Sequence, residues 1–448
     1  MDTTLPEPTL TLTLPSLHDG LALDCRVYHP PSLAASPKSP TWRKHAAIIA
    51  HPYAPLGGCC DDPVVETIAS SLLRLGFLVG TFNFRGANGS AGRTSWTSKA
   101  ETADYMSFVG FITHYVHFLD PFRPLLNEPV AGSQNMARPR LSVEPLSSPA
   151  TSGIPILLLG GYSYGAMITT NLPSVESILA PFAMPARESP AAEIRQRAQH
   201  LAEMQNTVLG SARAAAIEHQ SGRAVRKSLG VRVGGDEDNR KSHDSRRSFS
   251  VDLEDRLHRG MSDLKTKTRI GHKKRALSEG LGAQAGQSEA APDRGETESL
   301  ARIPGRTIYR PAYLLVSPLQ GVVTNLATMS LPSALSRRGP IRSFSWSSSS
   351  SSTPEKNEAS EIDHSREAEL KLTLNPTLAI YGDRDGFVPV RKLRDWRSRL
   401  EAVPHSQFRA HEVSGAGHFW FQGNAAPIMR DAVRAFAESI LEDHDLNE

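Results

Sequence analysis

Apolar residues follow two rhythms along this chain. LTLTL (10–14) and LALDCRVY (21–28) alternate apolar with polar, the period of half-buried antiparallel strands, and HDG (18–20) supplies the turn between them. HAAIIAHP (45–52), FLVGTFNF (77–84) and IPILLLGG (154–161) are apolar at nearly every position, which predicts parallel strands covered on both faces. Between the first two of these, DDPVVETIASSLLRLG (61–76) has apolar residues at helical spacing, a proline near its first turn and a glycine after its last. Residues 98–119 and 192–218 read as further helices. PAYLLVSPL (311–319) and PTLAIYGDRD (376–385) restore the strand pattern, KLRDWRSRL (392–400) predicts a helix, FRAHEVSGAGH (408–418) a last strand and loop, and 426–441 a closing amphipathic helix.

Two leading strands followed by β–α repeats predict an α/β architecture: a mostly parallel sheet with helices on both faces. The rhythm fails in two places. Residues 221–300 lack periodicity and are dominated by Arg, Ser, Gly, Asp and Glu, and SFSWSSSSSSTPEKNEASEID (343–363) is a serine-rich run. Both are expected to be disordered. We therefore expect one core interrupted twice: 1–173 and 372–448 as its halves, 174–307 and 331–371 as insertions, and 308–330 as a core strand with the start of a cap. Lengthening a loop from ~15 to ~130 residues costs only about 2 kcal/mol of closure entropy, so such insertions are tolerable.

Composition sharpens this picture. Residues 221–280 hold 16 Lys/Arg and 9 Asp/Glu, a net of +7 against +3 for the whole chain, so the remainder is net negative. A basic nucleic-acid-binding core is thereby disfavoured. Three cysteines, two of them adjacent (Cys59, Cys60), make no disulfide framework. MDTTLPEPTLTLTLPSL lacks a basic-then-apolar leader, and no apolar run approaches the ~18 residues of a membrane span. The expectation is a cytoplasmic protein without an integral membrane segment.

The chemistry gathers where strands end. Gly161-Tyr162-Ser163-Tyr164-Gly165 is G-x-S-x-G directly after a buried strand, the context in which that pattern forms a tight strand-to-helix turn with an exposed hydroxyl. A serine hydroxyl needs a base. His418, in the glycine-rich loop after the last strand, is better placed than His405 or His411, and His51 reads as a residue that ties down its own loop. GDRDGFVP (382–389) offers the orienting acid. Asp385, in the turn itself, is favoured and Asp383 is the alternative. Two N–H donors for a developing oxyanion are expected from the backbone of Tyr164 and of Tyr53, the latter in HPYAPLGG (51–58). Neither a cofactor motif nor a metal-ligand cluster is apparent; GANGSAG (86–92) lacks the ending of a phosphate loop and reads as a turn.

On these residues the chain resembles the α/β-hydrolase superfamily, in the order Ser163, Asp385, His418. It is most similar to a subgroup of uncharacterised hydrolases carrying a histidine-proline loop, a double glycine and an FNFRG stretch. The resemblance spans about 9–173, 308–330 and 372–441, and departs at CCDD (59–62), where a bulkier residue and an asparagine are expected. It implies an eight-stranded sheet and esterase-type chemistry on a small-molecule ester or thioester. A peptidase of the same fold, and a non-catalytic phospho-regulated scaffold, are the alternatives. The scaffold reading draws on RSFS (247–250 and 342–345) and RALS (275–278), where an arginine three residues before a serine suits a basophilic kinase or a phosphoserine-binding partner. Residues 319–336 are expected to roof the site.

Overall fold

The computed structural model describes residues 4–34, 36, 41–95, 97–122, 153–228, 298–319 and 368–446. Chain contacts group residues 1–223 and 297–448 into one compact unit; of a second, 224–296, only the helical residues 224–228 are described.

The first unit is built on an eight-stranded sheet in the order β1-β2-β4-β3-β5-β6-β7-β8. β1 (Leu10–Pro15) and β2 (Ala22–Tyr28) form an antiparallel hairpin, and β2 also runs antiparallel to β4 (Leu78–Phe82). β3 (Ala46–Ala50), β5 (Ile156–Tyr162), β6 (Arg310–Val316), β7 (Thr377–Gly382) and β8 (Phe408–Val413) continue in parallel. This order, with one reversed strand inside an otherwise parallel run, is an α/β-hydrolase fold.

Continuous apolar strands serve two cores, one on each face. Ala46, Ile48, Ala50, Leu157 and Leu159 face one cluster, while Ala47, Ile49, Ile156 and Leu158 face the other. The first is covered by α2 (Lys99–Phe118), α3 (Tyr164–Asn171), α4 (Val175–Leu179), α5 (Pro190–Ser228) and α6 (Val390–Glu401). The second is covered by α1 (Pro63–Arg74) and α7 (Ala425–Leu446). α1 begins with a proline in its first turn, as its sequence predicts: Pro63 sits where no N–H is missed, and Asp62 caps the helix by accepting the Val64 N–H at 2.8 Å. Gly76, at φ +96°, takes the left-handed conformation that ends it.

The loop after β4 is clamped from inside. Asp104 of α2, fully buried, accepts from Arg85 Nε at 2.9 Å, Arg85 Nη2 at 2.7 Å and Ser16 Oγ at 2.6 Å. A buried carboxylate is tolerable only with such a complete set of donors.

The insertion expected over 174–307 differs from a largely disordered segment at both of its described ends. Helices α4 and α5 occupy its first part, because Ala191, Ile194, Ala198 and Ala202 form a narrow apolar stripe buried on the core. α5 runs through Ser228, beyond the expected end at 218. Residues 229–297, including RSFS (247–250) and RALS (275–278), lie outside the described residues, as do 320–367 with the second RSFS and all but Leu319 of the expected roof. Among the described residues no helix is long and apolar enough to cross a membrane.

Candidate active site

The carboxyl ends of β5, β7 and β8 bring three of the expected residues together. Ser163, between β5 and α3, has φ +56° and ψ −112°, a conformation that costs a non-glycine residue of the order of 1–3 kcal/mol. The turn is held by the Ser163 N–H, which donates to the Val316 carbonyl of β6 at 2.8 Å. Its flanking glycines are obligatory. A Cβ at Gly161 would lie 2.3 Å from the Gly165 carbonyl carbon, and one at Gly165 would lie 2.4 Å from the Ala50 oxygen.

His418 Nε2 stands 2.8 Å from Ser163 Oγ, and its Nδ1 2.7 Å from Asp385 Oδ2. A carboxylate only accepts, so this contact places the ring proton on Nδ1 and leaves Nε2 to receive the serine O–H. The Asp385 side chain is fully buried, and its other oxygen accepts the N–H groups of Phe387 and Val388 at 2.8 and 3.1 Å. Asp383 is turned elsewhere: it accepts the Gly415 N–H at 2.7 Å and the Ser414 hydroxyl at 3.2 Å, pinning the turn after β8. His405 and His411 are exposed. The Phe387 ring lies 4.5 Å, centroid to centroid, from the His418 ring, and the Tyr162 hydroxyl donates to the His418 carbonyl at 3.0 Å.

The loop after β3 forms the facing wall. The Phe84 N–H donates to His51 Nε2 at 2.8 Å, so in the neutral ring Nδ1 carries the proton and donates to the Pro52 carbonyl at 2.6 Å. Burial pulls the His51 pKa down to about 4, against the opposing effect of the Pro52 carbonyl, so the ring stays neutral near pH 7. The Pro52 C=O and the Tyr53 N–H belong to one planar trans peptide and point in opposite directions. Holding the carbonyl therefore fixes the aim of that N–H. The glycines keep the loop tight: Gly57 has φ +87°, and a Cβ at Gly58 would lie 2.4 Å from the Pro52 oxygen. The Tyr164 N–H belongs to the first turn of α3, whose leading amides have no partner within the helix.

Ser163 and His418 open on a cavity of about 330 Å³ walled by Tyr53, Leu56, Phe387 and Leu319. Asp62, from the CCDD stretch, also lines it, as do Tyr162 and Phe419, to which sequence alone assigned no role of their own. Asp62 also caps α1, whose first turn sits beside the serine. Burial raises its pKa above the ordinary carboxylate range, opposed by the Val64 and Val65 N–H groups. Among the described residues no cluster of three or more His, Cys, Asp or Glu side chains is arranged to hold a metal ion.

No protein-family model and no curated protein matches the chain. Solved structures do. An alpha-beta serine hydrolase homologue from Coxiella burnetii aligns at 12% identity and a TM-score of 0.39, over 96% of this chain and 99% of that one. An α/β serine hydrolase without lid from Xanthomonas campestris aligns at 15% and 0.39, over 97% and 96%. Est1E from Butyrivibrio proteoclasticus, with ferulic acid bound, aligns at 9% and 0.38, over 96% and 98%.

Proposed function

We propose that the protein is a serine hydrolase that cleaves carboxylic esters or thioesters through an acyl-enzyme. The observation that carries this reading is the unbroken hydrogen-bond chain from Ser163 Oγ through His418 to Asp385, at 2.8 and 2.7 Å, on the floor of a cavity. Ser163 Oγ attacks the acyl carbon while His418 Nε2 takes its proton, and Asp385 stabilises the imidazolium and holds the ring. The oxyanion receives the N–H groups of Tyr53 and Tyr164. His418 then returns the proton to the leaving alcohol or thiol, and a water activated by the same nitrogen releases the acid. The apolar wall of Leu56, Leu319 and Phe387 suits an acyl chain or an aromatic acyl group.

Fluorophosphonate labelling of the folded protein tests this. Wild type should be labelled at Ser163 and lose the labelling when denatured. Ser163→Ala removes one oxygen and should lower ester turnover by about five to six orders of magnitude with the fold intact. Absence of labelling, together with equal background hydrolysis by wild type and Ser163→Ala across esters and thioesters, would leave the non-catalytic scaffold as the better reading.

A further inference from the structure

A second cavity, of about 520 Å³, shares no lining residue with the one beside Ser163. One wall is α2, through His114. Another is the turn after α4, through Phe182. The third is the segment leading into β6, which contributes Arg302, Ile303, Arg306 and Ile308. That segment is fixed in place by an antiparallel bridge between Ser299 and Ala186 and by Arg195, which donates to the Phe182, Ala183 and Ala301 carbonyls.

The charges here are one-sided. Arg302 and Arg306 line the cavity and neither forms an ion pair among the described residues, whereas many other arginines, such as Arg26, Arg85, Arg187 and Arg394, each meet a carboxylate. His114 adds an unmet demand. Its side chain is buried, and its Nδ1 lies 2.7 Å from the Gly110 carbonyl of its own helix. A carbonyl only accepts, so Nδ1 carries the proton and Nε2 is a bare acceptor, buried and without a partner among the described residues. Burial, reinforced by the charges of Arg195 and Arg306, holds the His114 pKa near 4, so this acceptor persists at neutral pH. That nitrogen is closed off from solvent, beneath the surface of the cavity wall. Phe182, Ile303 and Ile308 supply apolar surface beside the two cations. Ile308 is 74% exposed, a large apolar side chain with little of the protein to cover it. The volume lies within the range of small-molecule sites.

We infer that this cavity binds a small amphiphilic organic anion, a carboxylate or phosphate monoester with a hydrocarbon or aromatic body, whose head group pairs with Arg302 and Arg306 and whose body lies against Phe182, Ile303 and Ile308. The inference stands apart from the chemistry proposed at Ser163 and does not depend on it.

The full-length protein is titrated by calorimetry with octanoate, with phenyl phosphate and with uncharged octanol, and its arginines are modified with p-hydroxyphenylglyoxal and mapped by mass spectrometry. The tighter of the two anions identifies which pairing of head group and body, alkyl carboxylate or aryl phosphate, the cavity prefers. Octanol should bind about tenfold more weakly or less. The bound anion should slow modification of Arg302 and Arg306 at least about threefold while leaving the exposed Arg391 unchanged. Arg302→Gln/Arg306→Gln should weaken anion binding about tenfold or more with the melting temperature unchanged. If that variant does not fold, protection of the two arginines in wild type decides the matter. Failure of both anions to bind at millimolar concentration, equal binding by a folded double variant, or binding without protection of Arg302 and Arg306 overturns the inference.

Discussion

His51 makes two hydrogen bonds with different duties, and substitutions can separate them. Nε2 satisfies the buried Phe84 N–H; Nδ1–H holds the Pro52 carbonyl and thereby the aim of the Tyr53 N–H. His51→Ala removes both. Leaving the Phe84 amide buried and unpaired should cost about 1–3 kcal/mol of stability. Deleting an oxyanion donor outright costs about 10²–10³ in kcat; a donor that survives but swings freely should cost about 10–10². Asparagine places its side-chain N–H close to where Nδ1 stands, and glutamine places its carbonyl oxygen close to Nε2. His51→Asn should therefore recover most of the turnover while remaining destabilised. His51→Gln should recover stability while remaining slow. Urea unfolding and hydrolysis of a chromogenic ester, with kcat and KM resolved, give the two readouts. KM should barely move, because the donor acts on charge that develops after binding. If glutamine rather than asparagine restores kcat, or if both properties fall and recover together, the peptide-plane argument is wrong.

Three further outcomes are expected. Asp385→Asn should lower kcat about 10⁴-fold without unfolding the protein, since the His418 ring loses its tautomer, while Asp383→Asn should chiefly loosen the Ser414–Gly415 turn; steady-state kinetics showing the reverse ranking would move the acid to Asp383. Arg85→Met strands the buried Asp104 carboxylate with Ser16 and one backbone amide, and should destabilise by about 3–5 kcal/mol in urea, whereas a loss below about 1 kcal/mol would mean the carboxylate finds other donors. His29, His51 and His114 are each held neutral by burial with pKa values of about 4, against about 6.5 when unfolded. The unfolded chain binds the extra protons, so stability should be full above pH 6.5 and fall by about 3 kcal/mol per histidine as pH drops to 4; unfolding curves that coincide at pH 7 and pH 4.5 would contradict this.

The sheet was legible because each strand carries its own evidence. Parallel strands buried on both faces must be apolar at successive positions, and β3, β4 and β5 are; β1 and β2 alternate and lie antiparallel at the edge. The proximity of Ser163, Asp385 and His418 was legible for a related reason: each follows a recognisable strand, and all parallel strands end on the same side. The preference for Asp385 over Asp383 followed from its place in the turn. What failed was anything set by contacts distant in sequence. A helix was legible over 192–218, but four small or aliphatic residues in an otherwise charged segment did not mark it as packed on the core. Asp62, Phe387 and Phe419 meet across the cavity only once three loops are assembled, and no local pattern marks them. His114 is one of several polar residues buried in α2, and only the three-dimensional structure shows that its outer nitrogen lacks a partner among the described residues.

The two atoms that meet at 2.8 Å beside the cavity are supplied by residues 255 positions apart. Measured against protein synthesis, that separation is an interval of time. At ~5–20 residues per second, Ser163 is made roughly 13–50 s before His418. For about the first three-fifths of that interval the strained turn also lacks its brace, because the Val316 carbonyl that receives the Ser163 N–H has itself yet to be made. The growing chain thus carries a serine without a base and without the backbone conformation that presents it. Its hydroxyl is an ordinary alcohol until the last strand has been added to the sheet.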